Sequence, residues 1–255
     1  MKCVKPLYLG VKQDMYVPCG RCEVCKEHKI KEWSLRLRLH MVDETKMAFV
    51  TLTYDNDHLP EDENVSVREL QLFLKRLRKK GHKISYYACG EYGSKNYRPH
   101  YHLIMFGVSK YDKKDIEDAW SKGDIDVGTV KPQSIRYVLN YTKKAIDGRI
   151  YKGMAAPFQR MSKGIGNKIS EDLKKKIFQD GYITLDGFKY SIPRYYLGKV
   201  FTEEEVEQIK AKRLLELHNS DVRNIPMFST EYYSKQRQRE RNILSKKNLR
   251  DSSRK

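Results

Sequence analysis

Residues 84–92 read Ile84-Ser85-Tyr86-Tyr87-Ala88-Cys89-Gly90-Glu91-Tyr92, and residues 100–106 read His100-Tyr101-His102-Leu103-Ile104-Met105-Phe106. Both runs are rich in aromatic and aliphatic residues. Gly93, Asn96 and Pro99 punctuate the segment between them. The pattern predicts two strands joined as an antiparallel hairpin. Residues i and i+2 of a strand face the same side, so His100 and His102 share a face. If the strands pair, Glu91 folds back beside the two imidazoles. Two His and one carboxylate then suit a divalent cation, with positions left open for a phosphate oxygen. Without the pairing, two surface histidines are the plainer reading.

Outward from this hairpin the elements follow in order. Residues 47–54, Met47-Ala48-Phe49-Val50-Thr51-Leu52-Thr53-Tyr54, read as a strand, ended by the turn residues Asp55, Asn56, Asp57 and Pro60. Ser66-x-x-Glu69 is a capping-box pattern opening a helix through Leu70, Phe73, Leu74 and Leu77, which Gly81 closes. Upstream, Ile30, Trp33, Leu37 and Met41 recur at helical spacing within residues 23–46. Downstream come a short helix at 113–120, an alternating strand at 124–130, and a helix from Pro132 to about residue 145. The order β-α-β-β-α-β-α after a leading helix implies an α+β fold. Helices flank a central antiparallel sheet of about five strands, of the split βαβ, RRM-like kind. Beyond residue 147 the signal weakens: 148–166 is loop-like, 169–178 and 202–217 read as helices, and 182–185 and 188–192 as short strands. Thr202-x-x-Glu205 is a second capping-box pattern. The expected organisation is a Cys-rich segment and leading helix at 1–45, a core at 46–147, an α/β extension at 148–228, and a flexible basic tail at 229–255.

Charge narrows the function. The 255 residues carry 51 Lys and Arg against 33 Asp and Glu, a net +18. Residues 234–255 alone hold nine basic and two acidic side chains. This balance points to a polyanionic partner. No apolar run is long enough to cross a membrane, and Met1-Lys2-Cys3-Val4-Lys5-Pro6 lacks the apolar core of a signal peptide. The expectation is a cytoplasmic protein without a membrane partner.

Five cysteines, an odd count, argue against a disulfide framework. Cys19, Cys22 and Cys25 are spaced by two residues each, with Cys3 upstream. Four thiolates at such gaps converge on one soft cation, and structural zinc takes four ligands. Reduced thiols packed as small hydrophobes are the competing reading, and an iron–sulfur cluster the third. Cys89, alone in an apolar strand, is expected in the core.

Tyr137, Tyr141 and Lys144 fall at i, i+4 and i+7 of the helix beginning at Pro132. Such a stripe is compatible with amphipathic tyrosine packing at a core edge. Beside a metal site in a basic protein it reads as a pair of nucleophiles. A phenol is a weak nucleophile near neutral pH. A cation such as Lys144 would favour its phenolate, so Tyr141 is expected to attack first. Lys143, with Tyr97 and Arg98 in the loop before the histidines, is a candidate contact to DNA.

Together these residues resemble the HUH-type rolling-circle replication initiators. Phe49-Val50-Thr51-Leu52-Thr53-Tyr54 is similar to the family's first motif. His100-Tyr101-His102 is similar to its His-apolar-His motif, although Tyr occupies the middle. Glu91 sits where the family has its acidic third ligand. Tyr141-Thr142-Lys143-Lys144 is similar to the nucleophile motif, and Tyr137 matches the two-tyrosine subclass. Within the family the likeness is to initiators of gokushovirus-like Microviridae. It extends to Pro18-Cys19-Gly20-Arg21-Cys22-Glu23-Val24-Cys25, to Arg160-Met161-Ser162 with Gly164-Ile165-Gly166, and to Ile192-Pro193-Arg194-Tyr195-Tyr196.

The resemblance implies an HUH endonuclease fold. It implies Mg²⁺ or Mn²⁺ on Glu91, His100 and His102, with Tyr141, Tyr137 and Lys144 catalytic. The implied activity is nicking and rejoining of single-stranded or origin DNA through a 5′-phosphotyrosyl link in the cytoplasm of a bacterial host. Host helicase and polymerase are implied partners; the sequence has no Gly-rich Lys motif of an ATP-driven motor. The competing readings are a two-tyrosine HUH transposase, a non-catalytic zinc-containing DNA-binding protein, and an RNA-binding protein. The last lacks the expected RRM signature.

Overall fold

The computed structural model describes residues 3–10, 15–42, 44–93, 96–146 and 154–218, and positions 234, 238, 241, 242 and 245; the side chains of 142–146 and 216–218 lie outside that description. Apart from those five positions, the basic tail expected at 229–255 lies outside the described residues, as does 148–153 of the expected loop. The chain divides into two compact units, one comprising Met1–Glu32 and Ile169–Lys255, the other Trp33–Lys168. In chain order the elements are β1 (Leu7–Tyr8), β2 (Tyr16–Val17), α1 (Glu23–Met41), β3 (Met47–Thr53), α2 (Val67–Lys79), β4 (Ser85–Tyr92), β5 (Pro99–Phe106), α3 (Lys113–Trp120), β6 (Ile125–Gly128), α4 (Pro132–Ile146), β7 (Phe158–Met161), α5 (Glu171–Asp180), β8 (Ile183–Leu185), β9 (Phe188–Tyr190), α6 (Arg194–Val200) and α7 (Glu203–His218).

The second unit is built on a five-stranded sheet in the order β6-β3-β5-β4-β7. Every neighbouring pair in it is antiparallel. This is the expected α+β architecture. Strand β3 alternates strictly. Ala48, Val50 and Leu52 are buried on one face, while Met47, Phe49, Thr51 and Thr53 lie on the other. Helices α2 and α3 cover the first face. There Leu70, Phe73, Leu74 and Leu77 of α2 and Ile116, Ala119 and Trp120 of α3 pack with Ala48, Val50, Leu52, Leu103 and Met105. Each fully buried Leu or Phe contributes about 1.5–3 kcal/mol. Helix α4 lies against the opposite face, where Ile135, Val138 and Leu139 are buried. Trp33 of α1 meets Tyr87 there with ring centroids 5.0 Å apart.

Tyr101, the residue between the two histidines, points into the first core. Its hydroxyl accepts from the backbone N–H of Ser66 at 2.9 Å and donates to the Ser66 carbonyl at 3.2 Å. It also meets the Tyr54 hydroxyl at 2.9 Å, and burial pushes both phenols upward in pKa. This changes the expected capping box of α2. Ser66 Oγ caps the Glu69 N–H as expected. The Ser66 N–H is already taken by Tyr101, and the Glu69 carboxylate bonds Lys122 instead, at 2.9 Å. The second box forms in full, with Thr202 and Glu205 capping each other at 3.2 and 2.8 Å.

Three expectations need correction. The loop-like stretch contains β7, which joins the sheet edge against β4. Its four residues, Phe158-Gln159-Arg160-Met161, are too few and too polar at the centre to show an alternation. Residues after Pro193 form helix α6, with Pro193 at its N-cap. In α1, Leu35 and Leu39 are buried along with Leu37, so more than one helix face is covered and the single stripe expected from Ile30, Trp33, Leu37 and Met41 is not what the fold buries. Among the described residues, no helix is long and apolar enough to cross a membrane.

Tyr101→Phe removes an acceptor from one buried N–H and a partner from the Tyr54 hydroxyl. A destabilisation of about 1–3 kcal/mol is expected, read as a lower urea midpoint. An unchanged midpoint would show that this network does not secure the strand.

Candidate active site and metal centre

The register of the β4–β5 hairpin builds the site. Glu91 pairs directly with His100, and Cys89 with His102. Across β3, Thr53 pairs with His100 and Thr51 with His102. Direct pairs point to the same face, so Glu91, both imidazoles and both threonines share one surface. Glu91 is 2% exposed and His102 4%, while His100 is partly open to solvent.

Glu91 Oε1 lies 3.0 Å from His100 Nε2 and 3.3 Å from His102 Nε2. The second nitrogen of each ring is fixed from behind. His100 Nδ1 lies 3.1 Å from the Arg98 carbonyl, and His102 Nδ1 lies 3.1 Å from Thr51 Oγ1. A carbonyl only accepts, so His100 Nδ1 carries a proton. In a neutral ring Nε2 then turns a lone pair toward a carboxylate oxygen. Two acceptors facing each other in a buried place need a cation between them, either a proton on the ring or a metal ion. The three donor atoms lie within 4.8 Å of one another. With imidazoles oriented by a carbonyl and a hydroxyl, the set suits a divalent cation.

Helix α4 carries the two tyrosines over this surface. Tyr141 stacks on His102, with centroids 4.7 Å apart and planes 10° apart. Tyr137 stands edge-on to the same imidazole at 5.4 Å and edge-on to Phe49 at 5.9 Å. The Tyr141 hydroxyl donates to the Tyr137 oxygen. Tyr137 is 39% exposed, and Tyr141 is more enclosed. Burial, the hydrogen bond to Tyr137 and the negative charge of Glu91 push the Tyr141 pKa upward. The site without a cation therefore keeps Tyr141 as a phenol, not the phenolate anticipated from Lys144. The side chains of Lys143 and Lys144 lie outside the described residues. Cys89 is buried as expected, its Sγ 3.7 Å from the His102 carbonyl and 3.9 Å from that of Val138. It links β4 to both β5 and α4.

Thr51, Phe49 and Cys89 were not singled out from the sequence as site residues. Strand alternation with the hairpin register would have found Thr51. Of the two loop candidates, Tyr97 is exposed and has a backbone φ of +50°. Arg98 donates to the Tyr54 carbonyl at 3.1 Å and to Asn56 at 2.9 Å, which fastens the loop to the end of β3.

The cysteines converge as expected. The Sγ atoms of Cys3, Cys19, Cys22 and Cys25 lie within 4.8 Å of one another. Cys3 and Cys22 are 3.9 Å apart, and Cys19 and Cys25 are 4.0 Å apart. Four sulfurs around a zinc ion at ~2.3 Å would be spaced by about 3.8 Å. For Cys19, burial opposes ionisation. The N–H groups of Cys22 and Arg21, together with the thiols of Cys3 and Cys22, outweigh it and bring the pKa down to about 7. Burial raises Cys3 and Cys25. One thiolate is thus accommodated by the protein alone, whereas four need a cation. The start of α1 at Glu23 adds a favourable helix dipole.

The chain matches known proteins over this region. A family model of replication-associated proteins of the ORF2 type matches residues 47–146, from β3 to the end of α4. Replication-associated protein ORF2 of Spiroplasma virus 4 is 31% identical over 232 residues, covering 77% of this chain and 72% of that protein. Replication-associated protein VP4 of Bdellovibrio phage phiMH2K is 31% identical over 240 residues, covering 79% and 75%. Replication-associated protein ORF4 of Chlamydia phage 1 is 27% identical over 230 residues, covering 77% and 57%. No solved structure matches the chain.

Two outcomes are expected. Mn²⁺ at a hundred times its dissociation constant raises stability by about 2.7 kcal/mol, seen as a higher melting temperature than in EDTA. Glu91→Gln and His102→Ala lose this shift; a shift that survives both variants would place the ion elsewhere. Elemental analysis is expected to find one zinc per chain, lost in Cys22→Ser, whereas metal-free protein with an ordered N-terminal segment would favour simple thiol packing.

Proposed function

The chain belongs to the ORF2 family of replication-associated proteins, and from that membership we propose that it nicks and rejoins single-stranded origin DNA, starting and ending rolling-circle replication of a small circular genome. The observation that carries this reading is the placement of two tyrosine hydroxyls against a buried Glu–His–His cluster.

Glu91, His100 and His102 would hold Mg²⁺ or Mn²⁺. Such an ion supplies positive charge where charge builds on the scissile phosphate, and it offsets Glu91 beside Tyr141. The protein's own groups do the rest. A tyrosine oxygen attacks phosphorus, the P–O3′ bond breaks, and the leaving oxygen takes up a proton as a free 3′-OH. The phosphate stays joined to the tyrosine at the 5′ end. This bond keeps the phosphodiester's energy, so rejoining by a 3′-OH needs no nucleotide.

The partial exposure of Tyr137 and the hydrogen bond its oxygen accepts from Tyr141 support Tyr137 as the first nucleophile. This reverses the order expected from Lys144. Hydrogen-bond donation by Tyr141 steadies charge on the Tyr137 oxygen as its proton leaves. Tyr141 then serves the second cleavage, when the origin has been regenerated. Tyr97 and the basic side chains, Lys143 and Lys144 among them, would engage bases and phosphates. A host polymerase extends the 3′-OH and a host helicase unwinds the template in the bacterial cytoplasm.

The test is a denaturing gel of protein mixed with its own replicon's single-stranded DNA. A covalent adduct is expected with Mn²⁺ and none with EDTA. Peptide mapping is expected to place the first link on Tyr137. Tyr137→Phe moves residual linkage to Tyr141, and the double Phe variant forms no adduct. Salt-sensitive DNA binding with no adduct on that DNA would leave a binding protein in place of an enzyme.

A further inference from the structure

The first unit holds a second feature that the cleavage chemistry does not use. Strands β1 and β2 form a short ribbon in which Leu7 pairs with Val17 and Tyr8 with Tyr16. The Leu9 N–H extends the ladder to the Met15 carbonyl at 3.0 Å. Leu7, Tyr8, Leu9, Met15 and Tyr16 are all between 42% and 54% exposed. A two-stranded ribbon is marginal by itself in water, because it has no third layer against which to bury a face. This one is closed at its base by the cysteine cluster. Cys3 precedes β1, Cys19 follows β2, and the Cys19 N–H donates to Cys3 Sγ at 3.3 Å. The chain thus spends a four-thiolate clamp on holding apolar and aromatic side chains in solvent, the arrangement expected of a contact surface.

The chemistry of the surface selects its occupant. Tyr8 and Tyr16 stand directly across the ribbon, with ring centroids 5.0 Å apart and planes tilted by 44°. Lys5 and Arg21 flank the ribbon and are exposed. Among the described residues of 3–22 there is no acidic side chain. Flat aromatic rings beside cations, without acids, suit unpaired bases and the phosphates between them.

We propose that the cysteine-clamped hairpin is a contact for single-stranded DNA, built from residues other than those of the cleavage site. Tyr8 and Tyr16 stack on unpaired bases, and Lys5 and Arg21 take adjacent phosphates. The inference rests on the reading of the chain as a DNA-processing protein.

The experiment uses the full-length, zinc-loaded protein and a fluorescein-labelled thirty-nucleotide oligothymidylate, read by anisotropy. Tyr8→Ala/Tyr16→Ala is expected to weaken binding ten- to hundredfold, while Tyr8→Phe/Tyr16→Phe restores it, because stacking needs the ring and not the hydroxyl. Lys5→Ala/Arg21→Ala is expected to make the slope of log affinity against log salt shallower by about 1.4, the loss of two single-strand phosphate contacts. Zinc content is measured on every variant. Unchanged affinity in the alanine variant at full zinc occupancy overturns the proposal, as does a concentration-dependent dimer that the alanine variant abolishes while its DNA affinity stays put. The nicking reading is judged separately, on wild-type adduct formation. Wild-type protein that binds oligothymidylate through these tyrosines but never forms an adduct sinks the enzyme and keeps the hairpin.

Discussion

The pairing of Glu91 with His100 across the β4–β5 ladder is the constraint on which the rest of the site depends. A strand's side chains alternate with a period of two, so a slip of one residue would send the whole set to the other face. In the observed register, Glu91, His100 and His102 meet on one surface, while Tyr101 points the other way into the core. Tyr101 is then anchored by Ser66 and Tyr54. Core packing and site geometry therefore fix the same register. Tyr in place of an aliphatic residue at this position is accounted for by that anchor.

Burying a carboxylate as deeply as Glu91 is costly unless positive charge compensates it. Two imidazoles with their far nitrogens already engaged are well placed to share that role with a cation. Helix α4 lays both tyrosines against His102, so the charge state of the cluster is felt directly by the phenols. Glu91 itself helps to raise the Tyr141 pKa. Loading a cation and readying a nucleophile are thus electrostatically linked. The exposed Tyr137, accepting from Tyr141, is the member of the pair that a strand of DNA can reach first.

Much of this was legible in the residues. The strand pattern of 84–92 and 100–106, with turn residues between, led to the hairpin, and the hairpin led to Glu91 beside the histidines. Helical spacing put Tyr137 and Tyr141 on one face. The C-x-x-C-x-x-C spacing with Cys3 anticipated four convergent sulfurs. Other parts had no periodic signal to read. Strand β7 is four residues long and owes its place to pairing with β4. Strands β1 and β2 are two residues each and are held by the cysteines at their ends. The half-formed capping box at Ser66 depends on Tyr101, 35 residues away in sequence. The upward shift of Tyr141 depends on burial and on Glu91, which belong to the folded state alone.

Pulsed electron paramagnetic resonance on Mn²⁺-loaded protein tests the central arrangement most directly, because echo modulation reports the nitrogens bound to the ion. Two imidazole nitrogens are predicted, with His100→Gln and His102→Gln each removing one. Bound Mn²⁺ without nitrogen modulation, or modulation indifferent to both substitutions, would contradict a metal centre at Glu91, His100 and His102.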